Sequence, residues 1–301
     1  MSAGMRFFIL AGLLGVAAAQ QEKLPDLGYQ AAPEWPQLPA GWNFGETSGV
    51  DTDSRGHVYV FNRGPHPIVE FESNGKFVRS WGDAMFTRSH GLRLDHQDNI
   101  WAVDVDGHVV LKMNPQGRVV MVLGRRGQSG TNQTNFNRPT DVAVASSGDF
   151  YVADGYGNSR VVKFSRDGNF LLEWGKKGTA QGEFDLPHTV VLDARGRVYV
   201  GDRENRRVQI FDPNGKFLAE WKHVGSPWGL DMTPDQRLFL ADGYNNRVLL
   251  LNLEGQILGS LGGPGKLPGQ FAFAHAIAAT NGGELYVAEI LNWRAQKFLR
   301  K

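Results

Sequence analysis

A four-stranded unit that recurs along the chain constrains the fold more than any other feature of this sequence. Its clearest copy, residues 186–221, is LPHTVVLDARGRVYVGDRENRRVQIFDPNGKFLAEW. Apolar or β-branched runs alternate there with turn sequences such as Asp-Ala-Arg-Gly and Asp-Pro-Asn-Gly, and this alternation predicts short strands joined by tight turns. The predicted strands are Thr189–Leu192, Val198–Val200, Val208–Phe211 and Phe217–Trp221. Such a unit is an antiparallel meander.

The spacing of this unit predicts how many copies the chain contains. An aromatic residue in the second strand marks each copy, at Tyr59, Trp101, Tyr151, Tyr199, Phe239 and Tyr286. The intervals between these residues are 42, 50, 48, 40 and 47 positions. Four strands in about 40 to 50 residues form one blade of a β-propeller. The sequence therefore predicts an all-β, six-bladed β-propeller.

Residues 1–19 are predicted to be a secretory signal peptide. The segment has one basic residue, Arg6, an apolar run from Phe7 to Val16, and three alanines at positions 17–19. That order is typical of a cleaved export signal, and the apolar run is too short to span a bilayer. The chain contains no Cys, so we expect its fold not to depend on disulfides after export. We expect a secreted or periplasmic protein.

Residues 20–47 are Pro-rich and contain no unit of their own, whereas the sixth unit is one strand short. The predicted strands of that last unit are Ala276–Ala279, Leu285–Ala288 and Ala295–Leu299. An unpaired strand edge favours aggregation. We therefore expect a segment within Tyr29–Phe44 to supply the missing outer strand, so that an N-terminal strand closes a ring formed by residues 48–301.

The balance of charge excludes two classes of partner. Removal of residues 1–19 takes away Arg6 and no acidic residue, which leaves 31 basic and 31 acidic residues. A chain without net charge, with both signs mixed, lacks the electrostatic signature of binding to nucleic acid or to an anionic membrane. Because propeller blades bury one continuous core against each other, we expect one propeller domain. We also expect a monomer.

Three of the eight histidines occupy the same repeat position on alternate blades. The residue just before the first apolar strand position is, from blade one to blade six, Ser48, His90, Thr140, His188, Trp228 and His275. First strands line the central channel, so the three imidazoles are expected to point at one axis. A lone histidine there would more often be a channel residue bonded to water. The alternation instead favours a zinc site, because three imidazoles with an open fourth position are typical of catalytic zinc.

Strand direction predicts which other residues lie at this end of the channel. In an antiparallel blade, the first strand starts at the end where the second strand turns into the third. Those turns contain Arg63 in blade one, Tyr156 in blade three and Arg203 in blade four. The turn with Tyr156 is one residue longer than its counterparts in blades four and five, which could bring the ring toward the axis. Each residue alone could equally be structural, the Tyr by packing on its neighbour and each Arg by pairing with an acid.

An acidic residue ends the second strand in nearly every blade. These residues are Asp104, Asp154, Asp202, Asp242 and Glu289. A feature that also occurs in blades without a channel histidine indicates architecture, namely a carboxylate that accepts hydrogen bonds from turn amides. We do not expect these residues to bind the metal.

Several motifs carry a resemblance to a known family. They are SGVDTDSRGHVYVFNRG at 48–64, SHGLRLD at 89–95, RPTDVAVASSGDFYVADGYGNSRVVKF at 138–164, LPHTV at 186–190, GDRENRRVQIF at 201–211 and FAHAI at 273–277. With them the chain resembles NHL-repeat propellers over residues 48–300 and, more specifically, the peptidyl-α-hydroxyglycine α-amidating lyases. The resemblance implies a six-bladed carbon–nitrogen lyase that cleaves a hydroxyglycine-extended peptide, a carbinolamide, into a peptide amide and glyoxylate.

The resemblance also implies roles for individual residues. His90, His188 and His275 would bind zinc, and Tyr156 would be the general base. Arg63 and Arg203 would bind the substrate carboxylate or favour the phenolate. Such a set is chemically coherent, because zinc acidifies a bound hydroxyl and a nearby cation stabilises a tyrosine phenolate.

A second metal is implied by the family but not by this chain's residues. The family's structural Ca²⁺ is bound by an Asp and by backbone carbonyls that correspond to Val50 and Leu92. In this chain Ala276 stands at the position of that Asp, and Phe273-Ala274 replaces the family's Met-Pro before the third histidine. The sequence therefore departs from the family at the calcium site.

The sequence is also compatible with a different class of function. A non-enzymatic, exported NHL propeller that binds a protein or glycan partner would need neither a metal nor Tyr156. A propeller hydrolase or lactonase would need a carboxylate-rich metal cage, and the first-strand positions supply no carboxylate. A metal site close to Tyr156 would favour the lyase.

Overall fold

The structure, a computed structural model, describes residues 24–301 and consists of six four-stranded antiparallel sheets arranged as propeller blades. The predicted signal peptide lies outside the described residues. A single short strand, β1 (Tyr29–Ala31), precedes the blades. Blade one contains β2 (Thr47–Thr52), β3 (Val58–Asn62), β4 (Ile68–Phe71) and β5 (Phe77–Trp81). Blade two contains β6 (Ser89–Leu94), β7 (Ile100–Asp104), β8 (Val109–Met113) and β9 (Val119–Gly124).

The remaining blades repeat this order, with the first strand innermost. Blade three contains β10 (Asp141–Val144), β11 (Phe150–Asp154), β12 (Arg160–Phe164) and β13 (Phe170–Trp174). Blade four contains β14 (Pro187–Leu192), β15 (Val198–Asp202), β16 (Arg207–Phe211) and β17 (Phe217–Trp221). Blade five contains β18 (Pro227–Met232), β19 (Leu238–Asp242), β20 (Arg247–Leu251) and β21 (Ile257–Leu261). Blade six contains β22 (Ala274–Ala279), β23 (Leu285–Glu289) and β24 (Arg294–Arg300).

Helical structure in residues 24–301 is confined to two turns between second and third strands. These are the α-helical turn α1 (Gly155–Asn158) in blade three and the 3₁₀ turn Gly243–Asn245 in blade five. No helix in that range has the length and apolar composition needed to cross a membrane. The six-bladed all-β architecture predicted from the repeat is thus confirmed.

The N-terminal strand closes the ring, as the strand count predicts. β1 pairs antiparallel with β24, with Tyr29 opposite Arg300 and Ala31 opposite Phe298. This pairing gives blade six its fourth, outer strand. The segment that follows β1 also enters the core, because Trp35 and Phe44 pack with apolar residues of blades one and six. Residues 24–47 therefore contribute both hydrogen bonds and apolar packing to the closed ring.

The apolar core lies between the blades rather than along one axis. Six clusters of buried residues each join two neighbouring blades. The tryptophan that ends a blade's outer strand packs on a turn glycine of the next blade, where a Cβ would meet the indole ring. The pairs are Trp81 with Gly117, Trp174 with Gly215 and Trp221 with Gly255. In blade four, for example, Gly215 lies before the fourth strand and Trp221 ends it, so each blade of this kind offers a glycine to the blade before it and a tryptophan to the blade after it.

Candidate active site

The three channel histidines come together at one end of the ring. The centroids of the His90, His188 and His275 rings lie 4.8 to 4.9 Å apart. One ring nitrogen from each residue lies within 4.8 Å of the other two. All three side chains are buried, with residue exposures of 1 to 4%. The structure thus brings together the three predicted ligands, each from a different blade.

Each of these histidines lies where the regular strand pairing is interrupted. In blade four, Pro187 pairs with Asp202 and Thr189 pairs with Gly201, which leaves His188 without a partner. His275 lies in the same kind of bulge in blade six, and His90 in a wider irregularity in blade two. A bulge turns a side chain away from the alternation of the strand. This local irregularity directs the imidazoles into the channel.

The hydrogen bonds of the histidines fix their tautomers. Nδ1 of His90 bonds the carbonyl of Thr140 at 2.7 Å, and Nδ1 of His188 bonds the carbonyl of Trp228 at 2.6 Å. Nδ1 of His275 bonds the carbonyl of Ser48 at 2.7 Å. Because a carbonyl oxygen only accepts, each Nδ1 must carry the proton. Each Nε2 therefore presents a lone pair, which is the state that a metal requires.

Burial keeps these rings neutral. It lowers the pKa of His90 and His188 well below the usual value, and the cationic Arg203 adds to both effects. Burial, with the nearby Arg63, lowers the pKa of His275 to about 3. Three neutral imidazoles with free Nε2 atoms fit the ligand set of a catalytic zinc ion.

Tyr156 reaches the same point from blade three. Its hydroxyl lies 3.2 Å from Nε2 of His90 and 3.5 Å from Nε2 of His188. The α1 turn brings it there: the amide of Tyr156 donates to the carbonyl of Arg138 at 3.2 Å. Gly155 lets this turn approach blade four, because a Cβ there would lie 2.1 Å from the Pro187 carbonyl oxygen. The longer turn in the sequence thus corresponds to a helical turn that carries the phenol to the histidines.

Two guanidinium groups lie close to the Tyr156 ring. Arg203, which is 8% exposed, donates from Nη1 to the Tyr156 hydroxyl at 3.4 Å, and its Cζ lies 5.4 Å from the ring centroid. The Cζ of Arg138 lies 5.1 Å from the same centroid, with Nε bound to Asp106 at 2.9 Å. Sequence reasoning missed Arg138. Arg138 precedes Thr140 by two residues, as Arg88 precedes His90, but this spacing does not indicate that the Arg138 guanidinium lies on the Tyr156 ring.

Arg63 lies on another side of the histidines. Its Nε donates to the Ser89 carbonyl at 3.0 Å, next to His90, and it pairs with Glu46 through a very short contact. Its charge contributes to the lowered pKa of both His90 and His275, after the larger effect of burial. Its side chain is 14% exposed. No hydrogen bond between Arg63 and Tyr156 occurs among the described residues, so the two predicted arginines have different surroundings.

The channel narrows behind the histidines, and the residues there do not fit calcium. A cavity of about 20 Å³, the size of one water molecule, is lined by Leu92, Arg93 and Ala276 among others. No carboxylate extends from position 276, because its side chain is a methyl group. The Arg93 guanidinium instead donates to Asp141 at 2.7 and 3.1 Å and to the Leu230 carbonyl at 2.9 Å. Ca²⁺ requires six or more oxygen ligands, whereas here a guanidinium supplies the positive charge.

One other cluster of potential ligands occurs in the described chain. It comprises Asp53, His57 and Glu70 in blade one. Arg55 pairs with Asp53 at 2.6 Å, and Arg79 pairs with Glu70 at 2.5 Å. These carboxylates are thus neutralised by arginines, and the cluster is structural.

The chain is similar in sequence to proteins of a known repeat family. The NHL repeat family matches residues 136–164 and 184–211, in blades three and four. NHL repeat-containing protein 3 from Homo sapiens is 36% identical over 242 residues, which cover 75% of this chain and 67% of that protein. Peptidyl-alpha-hydroxyglycine alpha-amidating lyase 1 from Drosophila melanogaster is 33% identical over 284 residues, which cover 83% of this chain and 52% of that protein.

A solved streptogramin B lyase shares the fold, with a TM-score of 0.64 over 87% of this chain and 95% of that chain. The sequence identity is 14%, so this similarity concerns the fold alone. The match spans about two thirds of the human protein and about half of the Drosophila lyase.

Proposed function

The chain belongs to the NHL-repeat β-propeller family that includes NHL repeat-containing protein 3 and the peptidyl-α-hydroxyglycine α-amidating lyases, and on that premise we propose that it is an exported, zinc-dependent carbon–nitrogen lyase. Its substrate is a peptidyl α-hydroxyglycine or a related carbinolamide, and its products are a peptide amide and glyoxylate. One observation carries the proposal: the Tyr156 hydroxyl lies within 3.5 Å of Nε2 of two of the three histidines. Export rests on residues 1–19, outside the described part of the chain.

The chemistry requires one proton to move while one bond breaks. Zinc bound by His90, His188 and His275 would polarise the substrate hydroxyl and make its proton more acidic. Tyr156, as phenolate, takes that proton, the electrons of the O–H bond form the aldehyde of glyoxylate, and the C–N bond breaks toward nitrogen. The same proton then returns from Tyr156 to the nitrogen, which gives the amide. The net reaction consumes neither water nor an oxidant.

The two predicted arginines have distinct roles in this proposal. Arg203 contacts the Tyr156 hydroxyl and lies against its ring, so it stabilises the negative charge of the phenolate, and Arg138 adds a second cation on that ring. Arg63 lies close enough to His90 and His275 to lower the pKa of both, and it has no hydrogen bond to Tyr156 among the described residues. We assign to Arg63 the substrate carboxylate, which a guanidinium binds with two parallel hydrogen bonds.

The test is release of glyoxylate by the protein without residues 1–19. Zinc-loaded protein is incubated with N-acylated peptidyl α-hydroxyglycines, and both glyoxylate and the peptide amide are quantified. We expect equal amounts of the two products, inhibition by a zinc chelator and recovery when zinc is restored. A reaction without protein corrects for spontaneous decomposition.

The absence of glyoxylate would contradict the proposal. If zinc-loaded protein releases no glyoxylate above the protein-free rate, with several different residues before the hydroxyglycine, the lyase is rejected. The alternative would then be the non-enzymatic NHL propeller that binds a protein or glycan.

A further inference from the structure

Around the channel, the three blades that carry a histidine alternate with three that do not, and we call the space that each of these other blades faces a gap. Two of the three gaps already have a role in the proposed reaction. Blade three lies between the blades of His90 and His188 and brings in Tyr156. Blade one lies between the blades of His275 and His90 and brings in Arg63. Blade five fills the third gap with Trp228, whose ring centroid lies 5.6 Å from those of both His188 and His275. The third gap is therefore aromatic rather than charged.

Two more aromatic rings continue the surface that begins at Trp228. Phe273 stacks on Trp228, with centroids 5.2 Å apart and an angle of 22° between the rings. Tyr244 meets both rings by its edge, at 5.3 Å from Trp228 and 6.1 Å from Phe273. We call Trp228, Tyr244 and Phe273 the aromatic wall. It extends from the metal-binding residues toward the mouth of the channel.

The aromatic wall leaves apolar surface open next to the candidate site. Tyr244 is 41% exposed, and Trp228 and Phe273 are half-buried. The turn between β23 and β24 at the same end of the ring adds the exposed side chains of Leu291 and Trp293. Exposed apolar surface that borders a site commonly marks the place where a ligand binds.

Arg203 joins the aromatic wall to the reacting centre. Its Cζ lies 4.6 Å from the Trp228 centroid and 5.4 Å from the Tyr156 centroid. The guanidinium thus lies between the Tyr156 ring and the Trp228 ring. A ligand that contacts Tyr156 beside Arg203 therefore also lies near Trp228.

The substituents of the substrate carbon match the three gaps. Besides hydrogen, that carbon carries a hydroxyl, a carboxylate and the amide nitrogen that links it to the preceding residue. The hydroxyl belongs at the histidines with Tyr156, and the carboxylate belongs at Arg63. The amide nitrogen and the peptide attached to it are then directed to the remaining gap, where the aromatic wall lies.

We propose that the aromatic wall binds the side chain of the residue that precedes the hydroxyglycine, and that it selects a large apolar side chain, aromatic or aliphatic, at that position. This inference rests on the proposed lyase function. Aromatic rings gain from packing on one another beyond the area that they bury. A charged side chain would lose hydration against the wall, and the nearby Arg203 guanidinium is already bonded to Glu204 and to the Tyr156 hydroxyl.

The first test compares substrates that differ only in that residue. N-acetylated dipeptides with Phe, Leu, Ala or Asp before the α-hydroxyglycine are assayed with zinc-loaded protein for kcat/KM. We expect the order Phe, Leu, Ala, Asp, with Phe exceeding Ala by about tenfold or more, since even one methylene in an apolar pocket changes kcat/KM about 10- to 200-fold. Equal kcat/KM for Phe and Ala overturns the inference and leaves the lyase standing.

A second measurement does not depend on turnover. Acetyl-Phe-Gly and acetyl-Ala-Gly lack the reactive hydroxyl, and their binding to zinc-loaded protein is measured by calorimetry. We expect the Phe compound to bind about tenfold more tightly, because its side chain removes a large apolar area from water. If this preference is found but no substrate releases glyoxylate, the aromatic wall stands and the proposed reaction fails. If neither preference nor binding is found, the inference is rejected.

Two variants test whether the preference for Phe over Ala depends on the aromatic wall. Tyr244→Ala and Phe273→Ala should each reduce the Phe-to-Ala ratio in both measurements by about two- to twelvefold, which corresponds to the loss of one aromatic contact of about 0.5–1.5 kcal/mol. Leu218→Ala, at an exposed position of β17 in blade four, is the matched control and should leave the ratio unchanged. A ratio that stays at the wild-type value in both wall variants contradicts the inference.

Discussion

Each of the three channel histidines is oriented by the residue at the same repeat position in the next blade. Ser48 and Thr140 carry a hydroxyl and Trp228 carries an indole, yet each offers its backbone carbonyl to a histidine Nδ1. Blades with a histidine thus alternate with blades that orient it. Since only a backbone carbonyl is required, the orienting position tolerates different side chains, and one of them, Trp228, is free to line the site.

The first prediction concerns the metal. His188→Ala should lose most of the bound zinc, because two imidazoles cannot replace three ligands. The measurement is elemental analysis of the purified protein after exposure to zinc. His96→Ala, which removes an exposed histidine at the other end of the ring, should keep the zinc content of the wild type. Full zinc occupancy in His188→Ala would rule out the site.

The second prediction concerns the base. Tyr156→Phe keeps the ring between Arg138 and Arg203 and removes only the hydroxyl. We expect a folded protein with the zinc content of the wild type and a kcat lower by about 10²- to 10⁴-fold, the usual contribution of a general base. Glyoxylate release at the wild-type rate would exclude Tyr156 from proton transfer.

A repeated ion-pair network connects the strands within a blade to the loop between blades. In blade four, Arg207 is 2% exposed and donates to the Asp202 carboxylate at 2.8 Å. It also donates to Glu220 and to backbone carbonyls of Thr179, Ala180 and Glu183. Blades three and six use Arg160 and Arg294 in the same way. The acidic ends of the second strands are therefore architectural, as their recurrence indicates.

The third prediction tests this network. Arg207→Met fills most of the same volume but leaves the fully buried Asp202 without its cation. We expect the free energy of unfolding, measured with urea, to fall by about 3–5 kcal/mol, the usual cost of breaking a buried pair. Arg195→Met, at an exposed turn position, should change it by less than about 0.5 kcal/mol. Similar stabilities for the two variants would show that the network does not hold the blade.

The fourth prediction concerns β1. A chain that lacks residues 20–47 would expose the edge of β24 and remove Trp35 and Phe44 from the core. We expect it to aggregate or to melt at a lower temperature than the chain with residues 20–301, because an open strand edge pairs with other chains. A chain that begins at Leu24 is the matched control and should behave like the longer protein. An unchanged melting temperature in the larger truncation would contradict this role of β1.

At the scale of the whole ring, the channel carries charge at both ends. Behind the histidines, Arg93 pairs with Asp141 at 2.7 Å and lies 4.0 Å from Asp231. Burial raises the pKa of Asp51 to about 6. Burial, with the nearby Asp51 carboxylate, raises the pKa of Asp231 to about 7. One guanidinium thus faces three carboxyl groups, and two of these ionise less readily than usual.

The fifth prediction follows from these two carboxyl groups. A carboxyl whose folded pKa is raised binds protons more tightly in the folded state, so its contribution to stability is complete below its unfolded pKa of about 4. That contribution is lost as the pH rises through about 6 to 7, the folded values. We therefore expect the free energy of unfolding of Asp231→Asn to decline less between pH 5 and 8 than that of the wild type. Asp235→Asn, at an exposed position of the same blade, should keep the wild-type slope, and an equal slope in Asp231→Asn would contradict the assignment.

The repeat in the sequence was sufficient to predict the ring, but not all of the site. Six units, the missing strand of blade six and the position of His90, His188 and His275 follow from spacing, because a propeller converts a repeat position into a place around one axis. Arg138 and the aromatic wall do not follow from it. Their side chains meet across blades, so their contacts depend on how far each turn bends inward, which no local pattern encodes. Arg93 was missed since nothing in SHGLRLD indicates that its guanidinium faces Asp141.

The backbone amide of Lys301 donates to the carbonyl of Gly28 at 2.7 Å, so the last residue of the chain lies beside the residue that precedes β1. In space the six blades form a cycle, and the order of His90, His188 and His275 along the chain depends only on where that cycle is cut. A circular permutant, joined by a short linker from residue 301 to residue 24 and opened at the exposed turn residues Ala194 and Arg195, would keep every histidine beside its own carbonyl acceptor. The geometry of the candidate site therefore depends on the closed ring of blades and not on where along that ring the chain begins and ends.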